Sequence, residues 1–152
     1  MFGPGSYKTH PIVMDTNVLV AGACRREKSL AYRVVMGVLR REIPLILTAA
    51  IAWEYLDVLQ RPRVLELTRL SHAQSADLVT ELVALSHKVQ THFSWRPNLR
   101  DESDNKFVDA AVHASAIVVT YNTRHFDSPD LPRHGWGLMR PRELVARYLQ
   151  EA

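Results

Sequence analysis

A short apolar run at residues 12–20 is interrupted near its middle by three polar residues, Asp15, Thr16 and Asn17. The length of the run predicts a buried strand at residues 12–14 that ends at Asp15. Burying an ionised carboxylate is costly unless hydrogen-bond donors or a cation compensate for the lost water. Two interpretations of Asp15 follow. It caps a helix that begins directly after the strand, or it binds a metal ion with Thr16 and Asn17 as supporting groups.

Apolar strands and amphipathic helices alternate along the rest of the chain. Strands are predicted at residues 12–14, 44–47, 89–93, 117–120 and 136–139, and helices at residues 18–23, 30–41, 49–60, 62–67, 71–87, 104–115 and 141–150. Elements that alternate at this spacing indicate an α/β fold in which helices cover a mostly parallel sheet. We expect a single domain over residues 1–152, with residues 1–10 as a flexible lead-in.

Composition narrows the class of protein further. Hydrophobic residues make up 47% of the chain and charged residues 23%, which is typical of a folded domain rather than a disordered one. A net charge of +3 argues against a general polyanion binder. Cys24 is the only cysteine, which excludes disulfides within the chain and Cys-based zinc sites. No apolar run approaches the ~18 residues of a membrane span, so we expect a soluble, cytoplasmic protein.

Three further side chains with oxygen atoms lie near the ends of predicted strands. Glu54 is about one turn inside the helix after the second strand, Asp104 opens the helix at residues 104–115, and Asn122 follows the strand at residues 117–120. Ligands of open α/β sheets collect at the carboxyl ends of the strands, where Asp15 also lies. Each residue also has a purely structural explanation: a solvated helix position for Glu54, an N-cap for Asp104 and a turn for Asn122.

Together, these side chains suggest a shared metal site. Mg²⁺ and Mn²⁺ prefer carboxylate and amide oxygens, and they neutralise the repulsion between clustered acids. One or two such ions can activate water and orient a phosphate, so the pattern indicates phosphodiester hydrolysis.

Four segments resemble the PIN-domain ribonucleases, and in particular the toxins of bacterial and archaeal toxin–antitoxin systems. They are VMDTNVL at residues 13–19, AIAWEYLDVL at residues 50–59 followed by Arg61-Pro62, RDESDNKF at residues 100–107, and VVTYNTRHF at residues 118–126. The resemblance extends over residues 12–149. It implies a three-layer α/β/α sandwich, a homodimer, and a small antitoxin protein that inserts a segment into the active-site groove.

The resemblance also implies roles for individual residues. Asp15, Glu54 and Asp104 would bind Mg²⁺ or Mn²⁺ and cleave single-stranded RNA. Asn122 stands at the fourth catalytic position, where many members carry Asp. Because an amide has no charge, a second metal ion should bind there more weakly than the first.

Several flanking residues are expected to support this site. Asp101 or Asp127 can compensate for the charge that Asn122 lacks. Four cations lie near the motifs: Arg61, Arg100, Lys106 and Arg124. We expect them to contact the RNA backbone. The alternative is that they lie on a solvated face and bind nothing. Two other functions stay open: a PIN-like module that binds RNA or protein without cutting, and a metal phosphatase acting on small molecules.

Overall fold

The computed structural model describes residues 9–90, 104–126 and 136–149 of the chain. The described helices and strands are β1 (Ile12–Met14), α1 (Thr16–Ala23), α2 (Leu30–Leu39), β2 (Ile46–Leu47), α3 (Ala49–Leu59), α4 (Pro62–Thr68), α5 (His72–Leu85), β3 (His87–Lys88), α6 (Asn105–Ala114), β4 (Ile117–Val119), β5 (Gly137–Met139) and α7 (Pro141–Leu144). A 3-10 turn at Thr123–Phe126 follows β4, and a π-helical turn at Val145–Leu149 continues α7.

All strand pairs in the described part of the chain are parallel. β1 pairs with β4 and β4 with β5, while β2 pairs with β3. A parallel bridge between Ile12 and Leu45 joins the two groups, which gives the strand order β3-β2-β1-β4-β5. β1 therefore lies at the centre of the sheet, and its residues are fully buried. The predicted α/β fold with a parallel central sheet is confirmed.

Helix starts follow the capping residues predicted from the sequence. The hydroxyl of Ser29 accepts a hydrogen bond from the backbone N–H of Tyr32 at the start of α2 (3.2 Å). Thr48 accepts one from Ile51 at the start of α3 (3.2 Å). Ser71 opens α5 with a capping box. These side chains satisfy backbone donors that the first turn of a helix leaves without partners.

Two predicted elements differ from the structure. The strand predicted at residues 89–93 is β3 at His87–Lys88, and residues 91–93 lie outside the described residues. Its pairing with β2 begins early, because the His87 N–H already donates to the Leu45 carbonyl (2.8 Å). Neither residue of β3 is buried, so a search for apolar runs does not detect this strand. The final helix is α-helical only as far as Leu144.

Small residues bring α6 close to the sheet. Ala110 and Ala111 are fully buried, and α6 packs against β1, β2 and β4. Small side chains at these positions let the helix backbone approach the strands, which places the N-terminal end of α6 near the site described below. Among the described residues, no helix is long and apolar enough to span a membrane.

Candidate active site

Asp15 and Thr120 lie side by side where two paired central strands end. The register pairs Met14 with Val119, and the backbone N–H of Asp15 donates to the Val119 carbonyl (2.9 Å). The residues that directly follow these two strands are Asp15 and Thr120, and both are buried. The hydroxyl of Thr120 donates a hydrogen bond to Asp15 Oδ2 at 2.6 Å. This short, charge-assisted contact fixes the carboxylate at the carboxyl edge of the sheet.

Burial is the main influence on the ionisation of Asp15. It raises the pKa of this carboxyl above its ordinary value, and the nearby charge of Glu54 raises it further. The Thr120 hydrogen bond opposes this shift, as do the backbone N–H groups of Thr16 and Asn17. Asp15 occupies the N-cap position of α1, but its side chain forms no capping hydrogen bond. Capping therefore explains the position of Asp15 at the start of α1 but not the burial of its carboxylate.

Glu54 is held by one neighbour at each of its oxygen atoms. The Thr16 hydroxyl donates a hydrogen bond to Oε2. The Lys106 ammonium lies 2.7 Å from Oε1, and both side chains of this ion pair are only about a quarter exposed. Thr16 thus contacts both acids: its backbone N–H stabilises ionised Asp15, and its hydroxyl reaches Glu54 because α1 packs against α3. The interpretation of Glu54 as a freely solvated helix residue is wrong.

Asn17 and Asn122 order the loop after β4 rather than contacting Asp15 through their side chains. The side-chain oxygen of Asn17 accepts a long hydrogen bond from the backbone N–H of Tyr121 (3.4 Å). Asn17 also supports Asp15, through its backbone N–H rather than through its side chain. The backbone N–H of Asn122 donates to the Thr120 hydroxyl (2.9 Å), and its side chain is exposed. This is the turn chemistry that the sequence allowed, located beside the acidic pair.

Asp104 lies at the N-cap of α6, although its carboxylate forms no capping hydrogen bond to that helix. Its Oδ2 lies 3.3 Å from Nδ1 of His125, which is in the 3-10 turn after β4. The next residue, Asn105, is buried, and its side-chain oxygen has no hydrogen-bond partner within the described residues. A buried amide oxygen in this state is an available ligand for a cation or for water.

A family model described as the PIN domain matches residues 11–124. The chain belongs to the PIN domain family. The match includes β1, α3, α6 and β4, so it includes Asp15, Glu54, Asp104 and Asn122. PIN domains are generally nucleases and are typically dependent on divalent metals. No protein of curated function matches the chain.

The chemistry of the donor atoms in this PIN domain, carboxylate and amide oxygens, suits a hard divalent cation. Asp15 and Glu54 are close enough for their charges to interact, and Asn105 offers an unsatisfied oxygen nearby in sequence to Asp104. Such oxygens are the ligands that Mg²⁺ and Mn²⁺ prefer. The convergence of three acids is not complete, however. Within the described ranges, no group of three His, Cys, Asp or Glu side chains is arranged to hold a metal ion. Asp101 and Asp127 lie outside those ranges.

The predicted RNA-binding cations of this PIN domain have varied surroundings. Arg61 forms an exposed ion pair with Asp57 (2.8 Å), which is one turn earlier in the chain. Arg124 is exposed in the turn after β4. Lys106 contacts Glu54 rather than standing on an open face. Arg100 lies outside the described residues.

Sequence reasoning missed two residues that the PIN domain places at the acidic pair. Thr120 was assigned only to a strand, although a polar residue that ends a buried strand is itself a signal. Tyr55 lies in the helix predicted at residues 49–60, and the sequence pattern gives its hydroxyl no role. It is fully buried, and its hydroxyl donates to the carbonyl of Met14, the residue before Asp15. Burial and the charges of Asp15 and Glu54 raise its pKa well above the ordinary value, so the hydroxyl stays protonated and remains a donor.

Proposed function

We propose that this PIN domain is a divalent-metal-dependent endoribonuclease that hydrolyses phosphodiester bonds of single-stranded RNA. The observation that carries the proposal is the pair formed by Asp15 and Glu54. Two carboxylates are held beside each other by hydroxyl donors, and their repulsion contributes to the raised pKa of Asp15. Such an arrangement is unfavourable by itself, and it becomes favourable when a cation binds.

Asp15, Glu54 and Asp104 are the residues that would hold Mg²⁺ or Mn²⁺. When bound, the cation supplies a Lewis acid that lowers the pKa of water and stabilises negative charge on the phosphate. The chain's own contribution is orientation. Thr120 fixes the Asp15 carboxylate and Thr16 fixes that of Glu54, so both acids are already positioned before a cation arrives. The cations Arg61, Arg100, Lys106 and Arg124 would contact the RNA backbone.

We further propose a role as the toxin of a toxin–antitoxin pair, acting in the cytoplasm as a homodimer that a small antitoxin protein inhibits. The resemblance of the four motifs supports this role. Induced expression in bacterial cells should arrest growth, and Asp15→Asn should relieve the arrest at equal protein level. Normal growth with the wild-type chain folded and active in vitro would contradict the toxin role alone.

Cleavage of a labelled single-stranded RNA in the presence of Mn²⁺ tests the nuclease activity. Asp15→Asn and Glu54→Gln should each lower the rate by at least ~100-fold, since each removes a charged ligand from the metal site. Asp77→Asn and Glu81→Gln are matched controls, because these acids are exposed on α5. Removal of the cation with EDTA should abolish cleavage. Equal rates in the wild type and in Asp15→Asn would refute the assignment.

A second function is favoured by two specific observations. Lys106 neutralises Glu54, and Asn122 contributes no charge, so a domain that binds RNA without cutting it is consistent with the same residues. The two functions differ in one measurement. A binding module would retain RNA in a filter-binding assay while leaving many different RNAs intact.

A small-molecule metal phosphatase would instead hydrolyse p-nitrophenyl phosphate and leave RNA uncut.

A further inference from the structure

Lys106 is placed where its charge affects the acidic pair directly. Its ammonium lies 2.7 Å from Glu54 Oε1, and the remaining oxygen of Glu54 accepts from Thr16. Its side chain begins on the first turn of α6 and passes the ring of Phe107, whose centroid is 5.3 Å from the ammonium. The contact is about three-quarters buried, so water screens it only partly. Lys106 is therefore a strong counter-charge for Glu54.

We propose that Lys106 is a built-in competitor of the divalent cation: it neutralises Glu54 before the cation binds, and the cation must displace it. This inference rests on the proposed metal-dependent function and adds a means of regulating the same site. Two cations at one carboxylate repel each other, so a divalent ion bound to Glu54 would expel the ammonium. The cost of that displacement lowers the affinity of the site for metal.

The displaced ammonium has a place to go. Lys106 also lines a groove with a volume of about 1050 Å³, together with the exposed Trp53 of α3 and Asp109 of α6. The flexible four-carbon stem of a lysine can turn from Glu54 towards this groove without moving the helix. Cation binding then converts Lys106 from a partner of Glu54 into a positive charge beside the site, where a substrate phosphate would be held.

Mn²⁺ binding to the full chain, measured by calorimetry without RNA, tests the competition. Lys106→Met should lower the Kd for Mn²⁺ about tenfold, which corresponds to about 1.4 kcal/mol, because the cation no longer has to displace an ammonium from Glu54. Lys88→Met is the matched control: Lys88 lines the same groove, and its ammonium contacts the Val83 carbonyl rather than Glu54. Its Kd should equal that of the wild type.

A double variant separates competition from a general change in structure. In the Glu54→Gln background, Lys106→Met should give no gain in Mn²⁺ affinity, since the shared carboxylate is absent. If Lys106→Met folds poorly in a thermal melt, Lys106→Gln replaces it. Unchanged or weaker Mn²⁺ binding in a folded Lys106 variant would overturn the inference, as would the absence of Mn²⁺ binding from every variant.

Chemical labelling gives an independent readout. Lys106 should react slowly with an amine-acylating reagent in the metal-free protein and faster at saturating Mn²⁺, as followed by mass spectrometry. Equal reactivity in both states would overturn the inference. The outcome is distinguishable from that of the nuclease proposal. Tighter Mn²⁺ binding by Lys106→Met without any RNA cleavage supports the competition and refutes the nuclease, and cleavage with unchanged binding does the reverse.

Discussion

The Thr120 hydroxyl donates to Asp15 Oδ2 at 2.6 Å and thereby connects the ends of two central parallel strands. The same hydroxyl accepts the backbone N–H of Asn122 at 2.9 Å. One buried side chain thus stabilises the charge on Asp15 and orders the turn that follows β4. The acidic pair depends on hydroxyl groups that carry no charge themselves.

Replacing Thr120 with Val should destabilise the protein by about 1–2 kcal/mol, because a buried carboxylate and a backbone N–H both lose a partner. Valine has nearly the same shape, so packing changes little. The destabilisation should be larger at pH 7 than near pH 4, since the lost donor stabilised the ionised form of Asp15 and opposed the rise of its pKa.

Urea unfolding at the two pH values measures this effect. Thr120→Ser keeps the hydroxyl and is the control, so it should show a smaller, pH-independent loss. A Val variant that is as stable as the wild type at pH 7 would show that the hydrogen bond contributes nothing.

Asp15→Asn should stabilise the metal-free protein by about 1 kcal/mol at pH 7, in keeping with the trade-off between activity and stability at functional sites. The folded pKa of Asp15 is raised above the ordinary value of 3.8, so its ionised form destabilises the fold. The advantage of the Asn variant should therefore be complete above the folded pKa and disappear as pH falls below 3.8. The Asn side-chain oxygen can still accept from Thr120.

Thermal unfolding in EDTA between pH 3 and pH 8 checks the sign, with the exposed Asp77→Asn as control. An Asn variant that is less stable than the wild type at every pH would contradict the prediction.

Local patterns predicted much of the fold, because burial and capping are encoded by neighbouring residues. Ser29, Thr48 and Ser71 each cap a helix that begins at the next residue. Contacts within the site could not be predicted in this way. Thr16 and Glu54 are 38 positions apart, and Asp15 and Thr120 are 105 apart. Only the packing of α1 on α3 and the register of β1 with β4 decide which hydroxyl reaches which acid.

Thr16→Val should weaken Mn²⁺ binding by about three- to tenfold, since Glu54 loses the donor that orients one of its oxygens. This is opposite in sign to the change expected for Lys106→Met, although both substitutions remove a neighbour of the same carboxylate. Calorimetry on both variants makes the comparison. Thr16→Ser should retain the wild-type affinity, and tighter binding by Thr16→Val would show that the hydroxyl does not orient Glu54 for the cation.

Tyr55→Phe should cost about 1–2 kcal/mol of stability, because the Met14 carbonyl loses a buried hydrogen bond beside Asp15. Since the pKa of Tyr55 is raised well above the ordinary value, this residue should also be silent in an absorbance titration of tyrosine. Native wild type and native Tyr55→Phe should therefore give superimposable titration curves until alkaline unfolding begins. A smaller amplitude in the Phe variant before unfolding would show that Tyr55 ionises in the folded protein.

Asn122→Asp tests whether the far side of the site limits metal binding. Asn122 lies two residues beyond Thr120, its side chain is exposed, and its backbone already holds the turn by donating to Thr120 and accepting from His125. An Asp here keeps those backbone contacts and adds one negative charge, so the fold should be unchanged. The affinity for Mn²⁺ should rise about three- to tenfold, or the protein should bind a second equivalent of the ion, because an added carboxylate attracts a hard cation. Electron paramagnetic resonance of free Mn²⁺ measures both the affinity and the number of bound ions. The double variant with Asn122→Asp and Asp77→Asn keeps the net charge of the wild type and is the control. An Asp variant with unchanged affinity and stoichiometry would show that residue 122 does not face the cation.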